Sequence, residues 1–179
     1  MTNLYPGMID SEKEYFLNED KVYLIHNGVT SNFDDVKEHI ELETILQSEI
    51  ETNQILTEMV GKNQRTKIKK LAACRFGGLN FTADFNKETH SDFHNCPMRG
   101  KCIGENIVCK SPAINGETIT IEDVRILREI AGDDKNTTIA NKLGMPLGTF
   151  FVKKDKLYKL LHIPTKQRAA LFMFKEGLL

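Results

Sequence analysis

No run of about 18 consecutive apolar residues occurs anywhere in the 179-residue chain, which excludes a helix that crosses a membrane. The opening stretch, Met1-Thr2-Asn3-Leu4-Tyr5-Pro6-Gly7, lacks the basic flank and apolar core of a secretion signal, so a cytoplasmic location is expected. Internal repeats and low-complexity tracts are missing as well. Cysteine is absent outside one 36-residue window, from Cys74 to Cys109. Without a secretion signal, thiols crowded in that way point to metal or redox chemistry rather than to a disulfide framework. A net charge of one sign is also lacking, since 24 Lys/Arg face 25 Asp/Glu.

The charge that is present is unevenly distributed. Residues 1–60 hold 3 Lys/Arg against 13 Asp/Glu, residues 61–109 hold 9 against 4, and residues 110–179 hold 12 against 8. An acidic front and a basic rear imply that only the rear two-thirds would approach a polyanion, although solvated faces alone produce the same pattern. With 40% hydrophobic and 27% charged residues, the composition is that of a globular protein with one medium domain or two small ones.

The front divides into a short β-prone part and a helical part. Lys21-Val22-Tyr23-Leu24-Ile25 reads as a strand ended by a turn at His26-Asn27-Gly28, giving a possible short β element. From Phe33 to Val60, apolar residues recur at three- and four-residue steps, which predicts one long helix capped by Ser31 or Asn32 and stopped at Gly61. Such a helix could pair with a second copy or pack on its own domain; Glu49 and Asn53 interrupt any heptad seam. A basic helical segment, residues 62–73, leads into a loop-rich stretch over 74–110. The expected organisation is an acidic region over 1–61, a basic four-cysteine segment over 62–110, a linker over 111–117, and a C-terminal domain over 118–179.

Cys74, Cys96, Cys102 and Cys109 follow the spacing Cys-x21-Cys-x5-Cys-x6-Cys. Four thiolates can close a tetrahedral shell, so a structural Zn2+ ion is the expected cofactor, with Pro97 and Gly100 bending the chain between two ligands. Arg99, Lys101 and Lys110 would offset the charge of the tetrathiolate, and His90 or His94 could replace one thiol. Unligated core cysteines and an iron–sulfur or thiol redox site are the alternatives. No acid or base placed for catalysis is visible, so no enzymatic activity is expected.

The last third is the most informative. Thr118 or Thr120 can cap a helix carrying Val124, Ile126, Leu127 and Ile130, and Gly132-Asp133-Asp134 ends it. Further helices are expected from Asn136 to Leu143, Leu147 to Leu161 and Thr165 to Lys175, with a tight turn over 144–148. Thr120-x-x-Asp-x-x-Ile126-Leu127, Asn136-Thr-Thr-Ile-Ala140-x-x-Leu143-x-Met145, Thr149-Phe150, Leu157-Tyr158-x-x-Leu161, and Ile163 and Lys166 with Ala169 and Ala170 run without gaps. In order and spacing they resemble the LuxR/NarL-type helix-turn-helix domain.

The resemblance implies a four-helix domain whose third helix enters the major groove of double-stranded DNA and whose fourth pairs two copies into a homodimer. At 100° per residue, Phe150, Leu157 and Leu161 share one face of the third helix, while Val152, Asp155, Lys156 and Lys159 lie opposite, with Thr149 and Phe151 at the edges. Thr149, Lys153, Lys154, Lys156 and Lys159 can reach phosphates, and by similarity Phe151, Val152 and Asp155 are the base-reading positions. Two features depart from the family: Phe151 and Asp155 stand where basic or polar residues are usual, and Asp123 stands where glutamate is usual. Nothing ahead of residue 74 has the length of a receiver domain, about 100–150 residues. The expected protein is thus mainly α, a transcriptional regulator with a zinc module; an adaptor bound to RNA polymerase is the reading from a different class.

Overall fold

The computed structural model describes residues 4–85, 91–94, 96–111, 113–114 and 117–178. The chain divides into two compact units, residues 1–111 and residues 112–179.

The first unit begins with a three-stranded antiparallel sheet: β1 (Lys13–Asn18), β2 (Lys21–His26) and β3 (Val29–Asn32), in that order. Both hairpins turn on two residues with positive φ, Glu19 and Asp20 in one and Asn27 and Gly28 in the other. That pair of left-handed residues is the tight turn whose twist matches its flanking strands. Tyr15, Val22 and Leu24 point into the unit's core beside Phe33.

The long helix expected over Phe33–Val60 is not formed, and the front is not one helix with a minor β element. A three-residue 3-10 turn (Phe33–Asp35) is followed by an extended stretch, then α1 (Ile40–Ser48) and α2 (Ile50–Val60). Two side chains account for the breaks. The Arg65 guanidinium donates to the carbonyls of Phe33, Asp34, Val36 and Lys37 at 2.8–3.3 Å, oxygens that a helix would have used internally. Glu49 adopts φ −100° and ψ 86°, between α1 and α2, and presents its carboxylate to Arg75. Periodicity survived the breaks because both helices bury one apolar stripe, Leu42 and Leu46 on α1 and Leu56 on α2, in the same core. Among the described residues there are seven α-helices and two small antiparallel sheets, so "mainly α" is an incomplete description of the fold.

Asn63 caps α3 (Gln64–Arg75) through its side-chain oxygen, which accepts from Thr66 N–H at 3.0 Å. Ile68, Leu71 and Ala72 of α3 complete the core with Phe76 and Val108. Beyond α3 the chain runs along β1 without joining the sheet. Two backbone bonds link them, Leu17 N–H to Gly77 O at 3.1 Å and Asp84 N–H to Lys13 O at 3.3 Å, and side-chain carboxyls add to these: Asp84 accepts from Tyr15 N–H at 2.6 Å, and Glu14 accepts from Asn80 N–H at 2.9 Å. Asp92 accepts from Gly78 N–H at 3.2 Å and from the Asn80 amide at 2.8 Å.

The second unit opens with a short hairpin, β4 (Ala113–Ile114) and β5 (Glu117–Thr118), and continues with α4 (Ile121–Ala131), α5 (Asn136–Lys142), α6 (Leu147–Leu160) and α7 (Lys166–Lys175). Thr120 and Asp123 form a reciprocal capping box at the start of α4. Helices α5, α6 and α7 end alike, at Gly144, His162 and Gly177, each with positive φ. In each case the next amide reaches back five residues: Met145 to Ala140 O, Ile163 to Tyr158 O and Leu178 to Met173 O. This is the Schellman closure, which satisfies carbonyls that the helix end would otherwise orphan. Val124, Ile126, Leu127 and Ile130 of α4 pack with Ile139, Phe150, Leu157, Ala169 and Met173 in the interior.

Candidate functional site

Two places concentrate chemistry, one in each unit. In the second unit it is the outer side of α6. Phe150 and Leu157 are fully buried and Leu161 nearly so, which fixes the helix by one face. Thr149, Phe151, Val152, Asp155, Lys156 and Lys159 are exposed, Phe151 to 39% and Val152 to 72%. Lys153 is half-buried and bonds to Glu122 of α4 at 2.5 Å. Lys154 lies 5.7 Å from the Phe151 ring centre and 5.2 Å from that of Tyr158, a cation–π arrangement. Lys156 and Lys159 are therefore the α6 cations most open to a phosphate. The sequence did not distinguish them from Lys153, whose partner lies 31 residues away.

Lys135 and Arg168 are exposed too, at the start of α5 and in the first turn of α7. On α7, Leu171 and Phe174 are exposed large apolar residues, while Ala169 and Met173 face inward.

In the first unit, α3 and the loop over 96–110 enclose a cavity of about 380 Å³. All four cysteines line it, together with the apolar Met59, Val60 and Val108, the cationic Lys70, Arg99 and Lys101, and the acidic Glu105. The loop is a sequence of tight turns. Arg99 N–H donates to Cys96 O at 3.2 Å, Glu105 N–H to Cys102 O at 3.2 Å, and Asn106 N–H to Cys109 O at 3.1 Å. Gly104 approaches so closely that an added Cβ would stand 3.0 Å from Met59 Sδ and 3.1 Å from a Val108 methyl. Its N–H donates to Cys102 Sγ at 3.4 Å.

Arg75, next to Cys74 in sequence, holds the loop in place. It donates to Val108 O at 2.8 Å and Ile107 O at 3.0 Å, and forms a two-pronged pair with Glu49 at 2.8 and 2.9 Å. Lys110 adds a third contact to Glu49 at 2.9 Å. Burial alone would raise the Glu49 carboxyl, but hydrogen bonds from Arg75, Thr52 and Lys110 outweigh it and bring the pKa down to about 2. Nothing in the sequence flagged Arg75, because its partners lie 23–33 residues away.

Burial pushes the Cys74 thiol up to about 11; Lys70 opposes this, and the charges of Cys109, Cys96 and Cys102 add to it. The expected zinc ion is not supported. Among the described residues, no three His, Cys, Asp or Glu side chains converge so as to hold a metal ion. A zinc tetrathiolate needs all four sulfurs about 2.3 Å from one point. Here the four thiols are distributed around the walls of a space instead. His94 borders the same cavity, and its Nδ1 is buried without a hydrogen-bond partner among the described residues, close to Gly77. His90 lies outside the described residues.

Searches against family models, curated proteins and solved structures returned no match to this chain.

Proposed function

We propose that the protein is a DNA-binding transcriptional regulator acting through α4–α7, with α6 as the element laid in the major groove. The observation that carries this reading is the two-sidedness of α6. One face is anchored by Phe150, Leu157 and Leu161, and the other offers Thr149, Phe151, Val152, Asp155, Lys156 and Lys159 to solvent. A rigid helix held by one side can present base-contacting residues in a fixed register while flanking cations engage phosphates. Phe151 and Val152 suit the methyl group of thymine, and Asp155 suits the amino group of cytosine. Leu171 and Phe174 on α7 supply apolar surface for pairing two copies on a two-fold-related site.

The test compares the native chain with the double variant Lys156→Glu/Lys159→Glu in gel-shift titrations across salt concentrations. Both side chains are exposed, so the fold should persist, as circular dichroism will report. Loss of two phosphate contacts should weaken binding and flatten the slope of log affinity against log salt by about 2. An unchanged slope would reject α6 as the contact surface.

The exposed pair Phe151 and Val152 also favours a second reading, in which α6 docks on a protein such as RNA polymerase. In that case Val152→Glu would abolish capture of purified polymerase, and the native chain would not retard DNA even at low salt.

A further inference from the structure

Every cysteine in the chain opens onto one cavity, although their sequence positions span 36 residues. Three of them come from a single loop and the fourth from α3. A single ion would require the sulfurs to converge on a point, and no such convergence exists among the described residues. An iron–sulfur cluster makes a different demand. Each of its irons takes one thiolate, so the four ligands stand around a body of several atoms.

The rest of the cavity suits an anionic, oxygen-sensitive group. Met59, Val60, Ile103 and Val108 supply apolar lining. Lys70, Arg99 and Lys101 supply positive charge, against the single acidic side chain of Glu105. Two nitrogens of Arg99, Nε and Nη2, are buried and lack any acceptor among the described residues, so they remain available to sulfur. The Gly104 amide already donates to Cys102 Sγ, the kind of backbone contact that stabilises a metal-bound thiolate.

We propose that Cys74, Cys96, Cys102 and Cys109 together ligate a 4Fe–4S cluster in the cavity between α3 and the loop over 96–110. Loading is a ligand exchange. A preformed cluster carrying four small thiolates meets the four cysteine thiols; four iron–thiolate bonds break and four form. Each cysteine proton leaves on a departing small thiol, and no iron changes oxidation state. The proposal stands apart from the DNA-binding reading, because its site lies wholly in the first unit.

The experiment incubates the full chain without oxygen with a 4Fe–4S cluster carried by 2-mercaptoethanol thiolates, followed by desalting. The native chain should retain about four irons and four acid-labile sulfides, with a brown colour that dithionite bleaches. Cys102→Ser, at a half-buried loop position, and Cys74→Ser should both lose the retained iron while keeping native circular dichroism. Should a variant unfold, the native chain still decides, through the paramagnetic signal of its dithionite-reduced form. A native chain that leaves the desalting column without iron overturns the proposal. So does equal iron retention by native and folded variant chains, or one tightly held zinc per chain that blocks loading.

Discussion

The two units are held together by different kinds of interaction. In the second, the features that fix each helix lie within a few residues of it: the Thr120–Asp123 box, the Thr165 cap on Arg168 N–H, and three Schellman ends. Arg128, which donates to Leu178 O at 2.9 Å across 50 residues, is an exception. In the first unit the decisive polar contacts join distant parts of the chain. Arg75 to Glu49 spans 26 residues, Arg65 to Phe33 O spans 32, Asn80 to Glu14 spans 66 and Tyr15 to Asp84 spans 69. Local rules can be read from a sequence one window at a time, whereas contacts of that length cannot.

The sharpest way to break this contrast is Arg75→Ala. It leaves the partly buried Glu49 carboxylate with only Thr52 and Lys110 and frees the carbonyls of Ile107 and Val108, so the first unit should lose about 3 kcal/mol while the second barely changes. Urea unfolding followed by tyrosine fluorescence reports mainly on the first unit, which holds Tyr5, Tyr15 and Tyr23 against Tyr158 alone in the second. An equal shift in a probe confined to the second unit, such as protection of the α7 amides, would remove the distinction.

Acidity offers the next test. Burial raises the Glu14 carboxyl from the ordinary 4.5 to about 10, with the neighbouring Asp92 charge adding to the effect, and Asp84 is raised for the same two reasons. The folded first unit therefore keeps protons that the unfolded chain would release. The stability tied to Glu14 is fully present below pH 4.5 and is lost as the pH climbs towards 10. Glu14→Gln should lessen the decline by about 1.4 kcal/mol per pH unit within that window. A pH–stability curve identical for variant and native chain would contradict the protonated assignment. Smallest of the three, Thr120→Ala removes only a local cap and should cost about 1 kcal/mol, felt in the second unit and read from its own melting transition.

The same division explains what the sequence disclosed. The starts and ends of α4–α7 were legible because Thr120, Gly132, Gly144 and the apolar spacing encode them locally. The turn at Asn27-Gly28 was legible for that reason too, but the partner strand β1 was missed, since Lys13–Asn18 buries the ionisable Glu14 alongside Tyr15. The break at Glu49 went unseen because its cause is Arg75, and the stretch over 33–39 because its cause is Arg65. At the cysteines, spacing suggested a single zinc ion, whereas the structure sets the four residues around a cavity with no metal-holding group among the described residues.

Arg65 carries a consequence for how the first unit assembles. Apart from the single 3-10 bond from Val36 N–H to Phe33 O, residues 33–37 have no helical ladder of their own, so the carbonyls of Asp34, Val36 and Lys37 stay hydrated until a guanidinium from α3 reaches them. The ordering of those carbonyls must then follow the docking of α3, which makes this stretch a late-locking latch. In amide exchange, Val36 should open together with α3 rather than with α1, its nearer neighbour in sequence.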